Sequence, residues 1–212
     1  MAVETETART VVAYRWADYD TPLWASPNRV AGRWHALGAG PTQYWSLHPL
    51  GAWAEYVRSQ GIYDPAGLET VSSRTWAAEF DLGGATVTTV SFANAGDYGV
   101  TPAQLVADDH GPCRRLGGAL RADHDALIVP SAALPGTDNL VIFGPRVMVP
   151  YGIEPPDPSV DVPTAPTADR ARPPVELLGL VCHLGGRHAG LDEWRATGRT
   201  LPPPDVMHAG RP

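Results

Sequence analysis

Lysine is missing from this chain altogether: all 16 basic residues are Arg, against 23 Asp and Glu, for a net charge of −7. The arginines are scattered rather than clustered. A nucleic-acid surface needs concentrated positive charge to displace phosphate counterions, and an anionic membrane attracts polybasic segments. Neither partner is therefore expected. Cysteine is scarce as well. Cys113 and Cys182 lie far apart and outside any Cys-x-x-Cys pair, so a disulfide framework is not expected and a reducing cytoplasm fits best. No window approaches the ~20 apolar residues of a membrane helix, and Met1 to Arg9 lacks the apolar core of a secretion signal. There is no Gly-x-Ser-x-Gly elbow to support a serine hydrolase. Cys182, His183 and His188 lack a fourth ligand at metal-site spacing, and Asp108, Asp109 and His110 read as a helix end, so no metal is expected.

What is present suffices for one sizeable domain with extensions. The 212 residues are 43% hydrophobic and include seven Trp and seven Tyr, bulky material for a core and a pocket. An Ala-, Gly-, Pro- and Arg-rich composition suggests a GC-rich bacterial genome. Val11 to Arg15 and Gln43 to Leu47 read as strands, separated by a long loop from Asp18 to about Val30. Pro49 suits the first position of a helix. Leu50, Trp53, Ala54 and Val57 then recur at helical spacing as far as Gly61. Gly83-Gly84 between two apolar runs, Ala77 to Leu82 and Ala85 to Phe92, predicts a hairpin, with a bulge at Thr88-Thr89. Thr101-Pro102 caps a short helix. Gly111 to Arg121 is a second helix, weakened by Gly117-Gly118. Ala126 to Val129, Asn139 to Phe143 and Arg146 to Pro150 read as strands. The Pro-rich stretch from Gly152 predicts no folded element, Val175 to Leu184 is apolar enough to dock, and Leu191 to Thr197 is helical. This order predicts a mixed α+β domain without regular βαβ alternation. The expected organisation is a disordered N-terminus over 1–10, a catalytic domain over 11–150, a linker over 151–174 and a partly docked tail over 175–212.

Four positions are candidates for chemistry: Arg33 in AGRWH, Tyr44 in TQYWSL, Glu55 in LGAWAEY and Ser131 in LIVPSAALPGTDNLVIF. Singly, each has a bland explanation: a surface Arg, a half-buried strand Tyr, a solvated helix Glu, a turn Ser. At ~100° per residue, however, Glu55 points roughly opposite the apolar stripe of its helix, toward either water or a cleft. Arg15 reads equally as a nucleotide-binding residue or as a structural ion-pair partner. His35 reads as a loop histidine beside the same pocket.

Arg33, Tyr44 and Glu55 follow one another at intervals of eleven residues, and Ser131 closes a short apolar strand. In this order they resemble the RES domain, named for an Arg, a Glu and a Ser. The matching blocks are YRWADYD, AGRWHALGAGPTQYWSLHPLGAWAEY and DALIVPSAALPGTDNLVIF, with a weaker middle stretch YGVTPAQLVADDHGPCRRLGGAL. The resemblance runs from about Tyr14 to Pro150. The chain departs from the family pattern at Ala31 and His35, and its Arg-to-Tyr segment looks about one residue long.

The resemblance implies a fold similar to ADP-ribosyltransferases and a toxin that consumes NAD⁺ as substrate, with no other cofactor. It also implies a cognate antitoxin, typically a small helical DNA-binding protein that covers the active site. A homo-oligomer is left open. Within the family some members are similar to NAD⁺ phosphorylases or glycohydrolases, and some transfer ADP-ribose to protein. A non-catalytic nucleotide- or partner-binding module is the alternative from another class.

The residue types fit that chemistry. Nicotinamide departs neutral from a cationic pyridinium while the ribose carbon becomes oxocarbenium-like, which a carboxylate stabilises: the expected role of Glu55. Arg33 can grip a pyrophosphate bidentately, and Tyr44 can stack on nicotinamide. Ser131 can hydrogen-bond a phosphate, a ribose or the nicotinamide amide. Arg15 and His35 complete the expected nucleotide-binding set. No Gly-x-Gly-x-x-Gly run opens a helix, so NAD⁺ would not be bound as in a Rossmann domain.

Overall fold

The computed structural model describes residues 10–16, 28–71, 73, 75–143, 165–166 and 172–205. Two strands open the chain, β1 (Thr10–Trp16) and β2 (Thr42–Ser46), and α1 (Pro49–Gln60) follows. His48 caps α1 by accepting from the Leu50 N–H, Pro49 takes the first turn, and Gly61 ends the helix in the left-handed region at φ 63°. Next come α2 (Pro65–Glu69), β3 (Thr75–Asp81), β4 (Val87–Thr89), a 3₁₀ turn at Ala95–Tyr98, α3 (Pro102–Val106) and α4 (Gly111–Leu120). A Thr101/Gln104 capping box starts α3. The chain continues through β5 (Ala126–Pro130), β6 (Asp138–Phe143), β7 (Ala165–Pro166), a 3₁₀ turn at Val175–Gly179 and α5 (Ala189–Thr197). This is the mixed α+β order expected from the sequence.

The strands form one sheet in the order β4-β5-β6-β2-β1-β3-β7. Every pair is antiparallel except β4 with β5. Strict alternation sorts β5 and β6 onto two cores. Leu127, Val129, Val141 and Phe143 join Trp34, Leu105, Cys113 and Leu116 beneath α3 and α4. Ala126, Ile128, Leu140 and Ile142 instead meet Trp45, Ala78 and Phe80. The rings of Trp45 and Phe80 pack edge to face at 4.9 Å although β2 and β3 are not neighbours. The sheet therefore curls until β3 lies over its β5–β6 half. A third core forms where Leu50, Trp53, Ala54 and Val57 of α1 meet Leu134, Leu177 and Val181.

The Gly83-Gly84 hairpin expected from the sequence does not form. A turn is there, with Ala85 N–H donating to Leu82 O at 3.2 Å. But β3 pairs with β1 along its whole length, while β4 crosses to the other end of the sheet and pairs parallel with β5. The curl of the sheet brings those two ends close, so a tight turn joins them without pairing its own flanks. The strand β4 stops at Thr89, where a bulge was expected. Within the expected linker, Ala165–Pro166 adds a short edge strand against Trp76–Ala77, an edge being where a strand tolerates Pro. The expected strand at Arg146 to Pro150 and most of the loop from Asp18 lie outside the described residues.

One irregularity positions the site. Among the described residues β1 and β2 share a single paired position, Tyr14 with Ser46. By contrast, β2 and β6 share five and β1 and β3 share seven. The sheet parts between β1 and β2, and a cleft opens in the gap.

Candidate active site

The cleft has a volume of about 620 Å³, within the range usual for small-molecule sites, ~300–1,000 Å³. Arg15 and Trp16 from β1, Tyr44 from β2 and Glu55 from α1 form its walls, together with Arg33 and Asn139. Among the described lining residues Glu55 is the one carboxylate, beside three guanidiniums, Arg15, Arg33 and Arg58.

Glu55 sits on the side of α1 away from the Trp53/Val57 stripe, and the fold places the cleft there rather than solvent. Two donors converge on one of its oxygens. Asn139 Nδ2 donates to Oε1 at 2.8 Å and Ser131 Oγ at 3.3 Å. Oε2 has no hydrogen-bond partner among the described residues.

Ser131 itself is fully buried and does not line the cleft. Its hydroxyl also accepts from the Ala133 and Leu134 N–H groups at 3.2 and 3.0 Å, closing the turn after β5. It stands behind Glu55, where the sequence reading had it touching substrate.

Arg33 precedes the buried Trp34. Its Nη1 donates to the carbonyls of Leu105 and Ala107 at 3.3 and 2.6 Å. No carboxylate pairs with it among the described residues, and it lines the cleft.

The loop carrying Arg33 is pinned by Tyr44 and His35. His35 is 3% exposed, off the cleft surface. Its Nε2 donates to Val30 O at 2.9 Å, so its Nδ1 is the acceptor for the Tyr44 hydroxyl at 2.7 Å. The same hydroxyl accepts from Trp34 N–H at 3.1 Å. Burial pushes the Tyr44 phenol up to about 12, against weaker opposing effects from the Trp34 N–H and the nearby Arg33, and burial likewise lowers the His35 pKa. Both rings are held neutral. The Tyr44 ring is a cleft wall while its hydroxyl belongs to the loop.

Arg15 does line the cleft, its guanidinium lying 5.8 Å from the Trp45 ring centroid. The residues missed by sequence reasoning are Asn139, Arg58, His110 and Trp16, all of which line the cleft. Asn139 left one usable signal, a polar residue at the head of an apolar strand. Arg58 lies one helical turn beyond Glu55 and is 6% exposed. It is neutralised by Asp108 at 2.5 Å and also donates to the carbonyls of Ala132 and Cys182. Asp108 thus serves this buried pair, and Asp109 accepts from Gly111 N–H at the start of α4. Burial, followed by the neighbouring Arg33, lowers the His110 pKa, with only Asp108 opposing.

Comparison with known proteins places the chain in a family. The model of the RES domain matches residues 8–172. A protein of Mycobacterium tuberculosis named "Probable NAD(+) phosphorylase" is 28% identical over 146 residues, spanning 67% of this chain and 69% of the relative. The crystal structure of the M. tuberculosis MbcT-MbcA toxin-antitoxin complex contains a chain of similar fold. It is 20% identical with a TM-score of 0.51, covering 64% of this chain and 74% of that one.

Proposed function

The chain belongs to the RES-domain family, and from that premise and the shape of its cleft we propose that it cleaves the nicotinamide–ribose bond of NAD⁺. The observation that carries the reading is the Glu55 carboxylate, fixed through Oε1 by Asn139 and Ser131, in a cleft whose lining includes Arg15, Arg33 and the rings of Trp16 and Tyr44. In this reading Glu55 Oε2 faces the ribose, where it accepts from a hydroxyl and stabilises the positive charge that grows at the anomeric carbon. Arg33, which has no carboxylate partner among the described residues, holds the pyrophosphate, with Arg15 in support. The Tyr44 and Trp16 rings flank the nicotinamide. Ser131 and His35 act indirectly, the first by orienting Glu55 and the second by fixing Tyr44.

The bond that breaks joins the anomeric carbon to the pyridinium nitrogen. Its electron pair goes to that nitrogen, so nicotinamide departs neutral and no general acid is needed. The bond that forms joins the same carbon to an oxygen of the acceptor. Water as acceptor gives ADP-ribose and a proton; inorganic phosphate gives a phosphorylated ADP-ribose. Phosphate is favoured by the Arg33 guanidinium on the cleft wall and by the name of the mycobacterial relative. A chain with this activity would deplete NAD⁺ in its own cytoplasm, and so would act as a toxin held in check by an antitoxin protein.

The test is to incubate the purified chain with NAD⁺, with and without inorganic phosphate, and to follow nicotinamide and the ribose-side product. Release of nicotinamide that rises with phosphate is the expected result. No release under either condition would leave a nucleotide-binding module, and label from the adenylate half appearing on protein would make it a protein-modifying transferase.

A further inference from the structure

Residues 173–205 lie beyond the family match, yet they reach the candidate site. Leu177 is fully buried against α1, and Leu184 lines the cleft. Cys182 N–H donates to Ala133 O at 2.8 Å, and Gly185 N–H donates to Asp108 at 2.7 Å. His188 completes this set of contacts. It is 7% exposed, and its Nε2 lies 2.9 Å from the carbonyl of Ser131, the residue whose hydroxyl helps to hold Glu55.

The proton on His188 can be placed by elimination. Its Nδ1 lies 3.0 Å from the backbone N–H of Leu191. A backbone N–H only donates, so Nδ1 is bare and caps α5, and the ring proton sits on Nε2. Ser131 O only accepts, so Nε2–H donates to it. Burial lowers the His188 pKa, which favours this neutral form. One imidazole therefore ties the start of α5 to the turn behind Glu55.

We propose that His188 is a positioning residue for the cleavage reaction, holding the Ser131 turn, and through it the Glu55 carboxylate, in register with the cleft. This rests on the function proposed above. The link runs from His188 Nε2 to Ser131 O, then from Ser131 Oγ to Glu55 Oε1, and no step requires His188 to touch substrate.

The two ring nitrogens have separable duties, and two substitutions divide them. His188→Asn keeps an oxygen where Nδ1 caps α5 but cannot reach Ser131 O. His188→Gln reaches Ser131 O with its amide N–H but is a poor cap. The Asn protein should stay near wild-type stability while kcat falls about 10- to 100-fold with little change in KM, the scale of a catalytic group displaced by about 1 Å. The Gln protein should be the less stable of the two and the more active. A purely structural role predicts the reverse, with activity following melting temperature, and that ordering would overturn the proposal. Amide exchange at Ala133 and Leu134, whose N–H groups bond Ser131 Oγ, is read in parallel and does not depend on turnover. Faster exchange in the Asn protein than in the Gln protein supports the tether, and equal exchange overturns it. A wild-type chain that releases no nicotinamide removes the proposed function, and the exchange result still decides whether His188 holds the turn.

Discussion

Glu55 differs from an ordinary helix glutamate in what surrounds it. Two side-chain donors meet on Oε1, and among the described residues none meets Oε2. Replacing it by Gln keeps an amide oxygen for Asn139 and Ser131 and removes only the charge. Glu55→Gln should therefore preserve the fold and NAD⁺ binding while lowering kcat by about 10²–10³-fold, as removal of other electrostatic stabilisers does. Steady-state nicotinamide release with a separate binding measurement checks this, and near-normal turnover would return Glu55 to the bland reading. Arg33 should respond differently. Its charge acts on bound nucleotide in ground and transition state alike, so Arg33→Ala should raise KM and Kd. A charge-assisted hydrogen bond contributes about 1.5–3 kcal/mol, which corresponds to roughly 10- to 100-fold weaker binding in titration calorimetry.

At the scale of elements, α4 shows why a residue unfavourable to a helix can be required in one. Gly117 and Gly118 both weaken the helix by propensity. Yet a Cβ on Gly117 would run into the Trp34 carbonyl, whereas a Cβ on Gly118 would meet open space. Gly117 lets α4 pack directly on the backbone next to Arg33. Gly117→Ala should cost about 1–3 kcal/mol through overpacking and should weaken NAD⁺ binding as the Arg33 loop shifts. Gly118→Ala should stabilise by about 0.5–1 kcal/mol by restricting the unfolded chain and improving propensity. Urea unfolding of the two variants, one residue apart, distinguishes them by sign.

For the whole molecule, histidines that are buried or half-buried set the response to acid. The pKa values of His35, His48, His110 and His188 are all lowered from 6.5, with burial the largest cause in each. Because their folded values lie below the unfolded one, the unfolded chain binds more protons as the solution becomes acidic. Their contribution to stability is fully present above pH 6.5 and is lost as pH falls through the folded values. The urea midpoint should be flat from pH 8 to about 6.5 and should decline below it. A midpoint unchanged down to pH 5 would show that these rings charge without cost.

Local physics made much of this protein legible from its sequence. The Pro49 start and Gly61 stop of α1, the Thr101 cap of α3 and the apolar strands β5 and β6 depend on neighbours within a few residues, and they appear as read. Glu55 could be placed opposite its helix's apolar stripe because helical periodicity alone dictates it. Whether that side met water or a cleft was decided by the parting of β1 from β2, a matter of long-range register. The same distance dependence explains the failed hairpin. A Gly-Gly turn specifies a reversal, but the partner of β4 was chosen by the curl of the sheet, in which Trp45 and Phe80 pack together from strands far apart in sequence. Ser131 could be picked out by its resemblance to the family pattern, yet its position behind Glu55, and the reach of His188 to it across 57 residues, arise only when separate elements pack into one core. Turns and helix ends are fixed by nearest neighbours. The site is an arrangement of groups that only tertiary contacts bring together.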